Sequence, residues 1–556
     1  MELPFEIKIQ ILSEIGKNQG NKKALSFSRS RVPLDLYISK SKLVQYTDLV
    51  SYGEIVSAFC GLNFDSEQDM IKVILREKPL CEHINIYFGV NEKEKYLNTF
   101  SILDFKHVNS IIIDVPVTLE ILEFLKTDVN LDLYLILYKE ISFPYSIPSF
   151  LKNFKKVALR DCSGVKYMNP VLGKCKSLEI YNLPRKVNLS FVDFKCNYID
   201  MSYSNVENIP LEFQYCTTLK LDATGITSVP KELGNCKYLD LSNNYIEKIP
   251  IELSKCHTLI LRNIRITDVP IELGNCKILD LSSNSRLYLV PSSLSNCEEL
   301  NLSGTKLIKV PKELGNCKKL RLSSTNISYV PPELGNCKLL DLSYTGIETI
   351  PVELSNCENL FLNSCYNLTT FPKELSHCSL LNVSNTKIKE IPPEWGNCET
   401  LFITNTSLQY IPKELGKCRY LDLSHNFYIK TIPKELGCCE YLSLKYCRCI
   451  TDIPKELGGC RILDLSALKI QSIPTELSNC NILILYSTEI ETLNEAFGNC
   501  KIIDLRSCDN IKKQLPIQLE NCEKLVFFPE DKIRHNFKNG IYTYDFYCRD
   551  FNFFIN

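Results

Sequence analysis

Residues 230–249 read PKELGNCKYLDLSNNYIEKI, and at Pro250 the same order starts again as PIELSKCHTLILRNIRIT. The proline column extends back to Pro210 and forward through Pro270, Pro291 and Pro311 to Pro474, lapses at Asn494 and returns at Pro516. A period of 20 or 21 residues held at fixed phase marks a stack of short units. No single unit can bury its own apolar face, and stacked copies share one core.

Each unit contains one stretch with the period of a strand. Leu239 and Leu241 alternate with Asp240 and Ser242, which sends the leucines inward and the polar pair outward. Twenty residues leave little room for an α-helix on the return. The proline fixes φ and removes a donor, so extended segments and short helical turns are expected there. Where the chain leaves the strand stand Asn244, Asn284 and Asn426, or Thr224, Thr305, Thr325, Thr345, Thr386, Thr406 and Thr488. Both types satisfy nearby backbone groups. Cys365, Cys447 and Cys508 share that column, while Ile264 and Leu468 lack a side-chain hydrogen bond, which predicts local irregularity. Copies of 21 residues, such as the one with SSNSRLYL at 282–289, place their extra residue just after the strand.

The unit IPKELGNCKxLDLSxTxI, seen as Ile249, Pro250, Cys256, Leu259, Leu261, Ile264 and Ile266, resembles the leucine-rich-repeat pattern LxxLxLxxNxL with cysteine at the first leucine. The resemblance implies an α/β repeat solenoid. Short parallel strands would line the concave face of an arc, with mostly extended or turn-like convex limbs. Leucine-rich repeats are assigned to 148–525. Residues 46–147, where HINIYF, SIIIDV and LDLYLIL read as strands, are taken as irregular repeats or an N-terminal cap. The aromatic tail 526–556 is read as a C-terminal cap, because an uncovered edge of a stack invites aggregation.

The N-terminus departs from the repeat. Leu3, Pro4, Glu6, Ile7, Ile11 and Leu12 match the opening LPxEIxxxIL, and Ile7, Ile11 and Ile15 share a helical face between Pro4 and Gly16. This resembles the start of an F-box, so 1–45 is read as an F-box-like helical segment. The second half of the family pattern matches poorly, and its usual Trp is absent. The layout of F-box/leucine-rich-repeat proteins implies an adaptor. Its F-box docks the Skp-type linker of a cullin ubiquitin ligase, and its repeats hold a substrate. The other reading is a repeat scaffold without a ubiquitin role, its helix serving as a cap.

The 27 cysteines look excessive for a reducing compartment until they are placed: eighteen form one column from Cys175 to Cys522. Neither disulfide scaffolds nor zinc sites repeat a lone cysteine at such intervals, so a column of buried, reduced thiols is expected. The only close group, Cys438, Cys439, Cys447 and Cys449, lies mostly at or beside repeat columns and is not read as a metal site. Six scattered histidines and the lack of a phosphate-loop or dinucleotide motif point away from catalysis. Similar short repeats occur in bacterial secreted ubiquitin ligases with a separate catalytic domain. Here Cys508-Asp509 keeps the asparagine phase, and only 34 residues follow Cys522. No catalytic residue, metal or cofactor is assigned.

With 64 basic against 65 acidic residues, general binding to nucleic acid or to a membrane surface is not expected. Charges at Glu2, Glu6, Lys8 and Glu14 interrupt any secretory apolar run, and a cytoplasmic or nuclear place is expected. The partner is expected on the concave face. Its mid-strand outward column holds Asp240, Asp280, Asp341, Asp422, Asp464 and Asp504 against Lys220 and Arg321, and those aspartates also belong to the common LDLS form. The column includes Phe361, Asn382 and Phe402, with Tyr420 and Tyr441 two residues earlier in the next two repeats. Strands about 4.8 Å apart put the four rings within a patch roughly 20 Å across. Aromatic anchors beside an acidic strip favour a partner segment that is basic and apolar.

Overall fold

A computed structural model describes residues 195–206, 208–511, 515–522 and 524–526, and upstream of them 34–38, 84–88, 108–113, 134–138, 156–160 and 176–181. The F-box-like residues Leu3 to Leu12, Cys175 of the thiol column and the tail beyond Val526 lie outside the described residues. The chain divides into two compact units, Met1–Arg265 and Ile266–Asn556.

One repeat of the first unit shows how the sequence sets the path. Pro230 is extended at φ −62°, and its carbonyl accepts the Leu233 N–H at 3.2 Å, opening the 3-10 turn Lys231–Asn235. The missing proline N–H sits where no hydrogen bond is needed. The Cys236 N–H closes the turn on the Leu233 carbonyl at 3.0 Å, and the chain enters the strand Tyr238–Asp240. Leu239 and Leu241 are fully buried. Asn243, at φ 55°, then turns the chain away, and Ile246 and Ile249 fill the core on the way to Pro250. Five-residue 3-10 turns of this kind recur in nearly every repeat, and the described residues contain no α-helix.

In the first unit, strands β1 (Leu34–Ile38), β2 (Ile84–Phe88), β3 (Val108–Ile113), β4 (Tyr134–Tyr138), β5 (Lys156–Arg160) and β6 (Ser177–Tyr181) pair in sequence order, all parallel. The same ladder continues through β7 (Tyr198–Asp200), β8 (Thr218–Lys220), β9 (Tyr238–Asp240) and β10 (Thr258–Ile260). The three upstream apolar segments are therefore strands, as their sequence suggested. β1 falls inside 1–45, where a helical segment was expected.

The second unit runs from β11 (Ile278–Asp280) to β23 (Lys524–Val526), again parallel and in order. Its leucine columns are fully buried from Leu281 to Leu505. Trp395 takes the leucine place in one 3-10 turn, is wholly buried, and meets Phe371 edge-on at 5.7 Å.

The residue after the left-handed one closes each turn. Asn244 donates to the carbonyls of Leu221 (2.7 Å) and Leu241 (2.9 Å) and accepts the Thr224 N–H (3.1 Å). Most of the threonines return their hydroxyls to the carbonyl three residues back, as Thr325 does to Leu322 at 2.7 Å, while Thr406 gives its hydroxyl to Asn426 Oδ1 at 2.6 Å. The thiols of Cys447 and Cys508 reach the carbonyls of Leu423 and Leu485 at 3.1 and 3.0 Å. The irregularity expected at Ile264 and Leu468 does not occur. The preceding Asn263 and Ala467 keep φ 51° and 57°, both apolar side chains are buried, and the Leu468 N–H still reaches the Leu465 carbonyl at 3.4 Å. Backbone bonds and burial hold the turn there. In the longer copy at 282–289 the extra residue makes a second turn, with the Leu287 N–H on the Asn284 carbonyl at 3.1 Å.

Candidate functional site

Two outward columns cross the strands. The mid-strand column was read as the partner-binding row, and the structure gives its aspartates a first duty inside the fold. Asp240, Asp280, Asp341, Asp422 and Asp464 each accept the backbone N–H two residues on, at 2.9–3.0 Å. At Asp240 and Asp341 the serine hydroxyl of that residue adds a 2.6 Å bond. Asp504 accepts the Arg506 N–H at 3.1 Å and its guanidinium at 2.5 Å. Strands of three residues end at this column, so the carboxylate caps the turn that follows. Asp280, Asp464 and Asp504 are consequently buried rather than open, at 5–7% exposure. Burial pushes the carboxyls of Asp240, Asp422 and Asp464 upward, against the pull of their serine bonds. Lys220 and Asp240 belong to the first unit and the rest of the predicted row to the second.

In the second unit the strands β15 (Asn359–Phe361), β16 (Leu380–Asn382), β17 (Thr400–Phe402), β18 (Tyr420–Asp422), β19 (Tyr441–Ser443), β20 (Ile462–Asp464) and β21 (Ile482–Ile484) pair in register. Phe361, Asn382 and Phe402 stand side by side, and Phe402 faces Asp422; Tyr420 faces Tyr441. A depression of about 890 Å³ opens over the sheet, lined by Asn359 of β15, Leu380 of β16 and, across β17 to β21, by Phe402, Tyr420, Asp422, Tyr441 and Asp464 among others. Five predicted residues thus meet in one place. Asp280, Arg321, Asp341, Phe361, Asn382 and Asp504 lie on the same sheet but outside that lining.

Sequence reasoning missed three groups at this site. Just before the strands, Glu399, Arg419, Glu440 and Arg461 alternate in sign. Arg419 bonds Glu440 at 2.5 Å and Glu399 at 3.3 Å, and Arg461 bonds Glu440 at 2.9 Å. The Arg419 hydrogen bond, with that of Arg461, holds the Glu440 carboxyl below the usual range. These residues recur every 20 or 21 positions, so the alternation was visible in the sequence. His425 lies on the other side, in the left-handed position at φ 60°, and stacks on Tyr446 with centroids 4.6 Å apart. Burial and the neighbouring Lys445 push its pKa down, so the ring is neutral near pH 7. Lys445, also in the lining, sets its ammonium 5.6 Å from the centre of the Tyr446 ring.

The chain combines a period of about 20 residues, one short parallel strand per period and a shared core of leucine columns. The chain is built of leucine-rich repeats. A Leucine Rich Repeat family model matches residues 235–256. No curated protein is significantly similar in sequence. Among solved structures, a leucine-rich-repeat protein of Leptospira interrogans is similar at 22% identity, covering 65% of this chain and 92% of its own, with a TM-score of 0.45. An internalin of Listeria monocytogenes is similar at 19% identity over 60% and 90% of the two chains, TM-score 0.38. A second protein of Listeria monocytogenes, whose functional domain includes a cysteine ladder, is 14% identical over 67% and 68%, TM-score 0.35.

Such repeats are a protein-interaction scaffold. The cysteine column of this chain is internal. From Cys196 to Cys500 the column is buried, and none of its thiols is in a disulfide. Each described link joins a repeat to the one before: Cys236 donates to the Phe213 carbonyl at 3.5 Å, and Cys317 to that of Leu294 at 3.6 Å. Cys438 and Cys449 are exposed while Cys439 and Cys447 are buried. Among the described residues no group of three or more His, Cys, Asp or Glu side chains is placed to hold a metal ion, and no helix there is long and apolar enough to cross a membrane.

Proposed function

We propose that this chain is a non-catalytic adaptor that holds a partner protein on the outer face of its second-unit sheet. The observation that supports this most is the depression over β17 to β21. There Phe402, Tyr420 and Tyr441 are each only partly buried and line an open, mixed-charge hollow. Aromatic rings left half-exposed on a sheet face are costly unless something covers them, and such rings are the usual anchors of interfaces. Replacing Phe402 and Tyr441 by Ala is expected to weaken capture of the natural partner by about 1–3 kcal/mol per ring, leaving the fold intact. Phe361→Ala, outside the lining, has the smaller effect. Undiminished capture by the double variant, read by affinity capture and mass spectrometry, moves the binding surface elsewhere.

The finer reading is that the adaptor serves a cullin-type ubiquitin ligase, docking its Skp-type linker through Leu3, Pro4, Glu6, Ile7, Ile11 and Leu12. The support is the match of those residues to LPxEIxxxIL ahead of a repeat array. Ile7→Asp with Ile11→Asp abolishes linker binding on this reading and leaves the repeats folded. If the wild-type chain captures no linker, the plain scaffold reading takes its place. The reduced thiol column supports a place inside the cell, where thiols are kept reduced.

A further inference from the structure

The floor of the depression has a composition that fits one kind of side chain. Along the mid-strand column it reads Phe402, Asp422, Ser443, Asp464 and Ile484 in register. Two carboxylates thus flank one small residue, with an apolar group beyond each. The carboxylates stand two strands apart, about 10 Å between backbones. One oxygen of each is spent inside the fold: Asp422 Oδ1 accepts the N–H and hydroxyl of Ser424, and Asp464 Oδ1 those of Ser466. Ser443 contributes nothing to the second oxygens, because its hydroxyl donates to Ser424 Oγ at 2.8 Å, whose own proton is on Asp422.

At two other positions of the column the second oxygen has a neighbour. Asn301 serves Asp280 Oδ2 at 3.0 Å, and the Arg506 guanidinium serves Asp504 Oδ2 at 2.5 Å. Among the described residues no hydrogen-bond donor reaches Oδ2 of Asp422 or Asp464. The nearby cations are otherwise engaged. Arg419 and Arg461 hold Glu399 and Glu440; Lys445, 5.6 Å from the centre of the Tyr446 ring, makes no ion-pair contact with either aspartate and acts on both carboxyls only through space.

We infer that this hollow takes the side chain of an arginine presented by the partner. Its guanidinium lies above Ser443 between Asp422 and Asp464, and its stem runs against Tyr441 and Phe402. The planar fork offers five donors and stacks on aromatic faces, so it serves two separated carboxylates where an ammonium point charge serves one. The inference rests on the sheet-face reading above and adds the chemistry of the anchor.

The test uses the full chain and a defined probe. N-acetylargininamide is titrated in saturation-transfer NMR beside its neutral isostere N-acetylcitrullinamide and N-acetyllysinamide. The arginine probe is expected to bind at about millimolar Kd, the range set by its few heavy atoms. The citrulline and lysine probes bind at least about tenfold more weakly, one lacking charge and the other the fork. Asp422→Asn with Asp464→Asn cuts arginine binding at least about tenfold, because two charge-assisted bonds are lost. This variant keeps the fold, since Asn301 and Asn382 occupy the same column and accept the same backbone N–H at 3.1 Å. No arginine binding, equal binding of citrulline, tighter binding of lysine, or an unchanged double variant overturns the inference. If natural capture survives D422N/D464N but fails with F402A/Y441A, the arginine anchor is wrong and the sheet-face reading stands. If capture survives both, the sheet-face reading falls as well.

Discussion

At the scale of single residues, the buried thiol explains why cysteine recurs. It is small enough for the tight approach between successive repeats, and its weak donor reaches the carbonyl of the preceding 3-10 turn. Cys256, Cys337 and Cys418 do so at 3.7 Å onto Leu233, Leu314 and Trp395. Alanine fills much of that space but leaves the carbonyl without its donor. Burial pushes these thiols up from 9.0, to about 11 at Cys236 and about 12 at Cys276, Cys317 and Cys418. In the unfolded chain they ionise near their ordinary value, while in the folded chain they hold their protons. The thiols' contribution to stability is therefore complete below pH 9 and is lost as pH rises from there toward 12. Each thiol subtracts up to about 1.4 kcal/mol per pH unit in that window. The urea midpoint should fall steeply between pH 9 and 10.5, and less steeply when Cys276, Cys317 and Cys418 are all replaced by Ala. Equal slopes in the two proteins would show that the column does not govern alkaline unfolding.

At the scale of the repeat element, the turn after the strand carries a conformational cost that the sequence hid. Its first tight position is left-handed in copy after copy, yet glycine occupies it at Gly304 (φ 69°) while Ser283, Ser324, Tyr344 and His425 sit there at φ 56–62°. A left-handed residue with a Cβ costs roughly 1–2 kcal/mol. Ser324→Gly is expected to stabilise the second unit by about 0.5–1 kcal/mol after the entropy of the unfolded glycine is allowed for. Gly304→Ser should cost a similar amount; matched urea melts of both variants check the pair, and a destabilised Ser324→Gly or a stabilised Gly304→Ser would refute the argument. This column also marks where sequence reading stopped. The proline, cysteine and leucine columns made the period, the strand and the 3-10 limb legible, because each follows from periodicity and one residue's steric needs. The meeting of Phe402, Tyr420 and Tyr441 was legible for the same reason, since parallel strands in register put equivalent positions side by side. The burial of the aspartates was not, because an outward Asp looks the same in sequence whether it faces water or caps its own turn. Nor was His425 legible as part of the site, because its place depends on a positive φ that no glycine announces.

At the scale of the whole molecule, near-neutral net charge conceals local order. Lys277, Glu298 and Lys318 form one exposed ladder across the second-unit strands, with N–O distances of 2.9 and 2.6 Å, and Glu399, Arg419, Glu440 and Arg461 form another. Exposed pairs of this kind add little stability. They do keep Arg419 and Arg461 beside the depression occupied, leaving Asp422, Asp464 and Lys445 as its charges outside an ion pair. On the proposed division of labour, residues 1–12 dock the chain and β17 to β21 hold the partner, so the two tasks lie in different units and are separable by mutation. The central claim is that the partner sits on the outer face of those strands. Hydrogen–deuterium exchange of the full chain, alone and with the partner it captures, tests it most directly. Slowed exchange confined to peptides spanning 399–404, 419–425, 440–445 and 461–464 is the result this account predicts; slowed exchange over the 3-10 turns instead, with these strands unchanged, would contradict it.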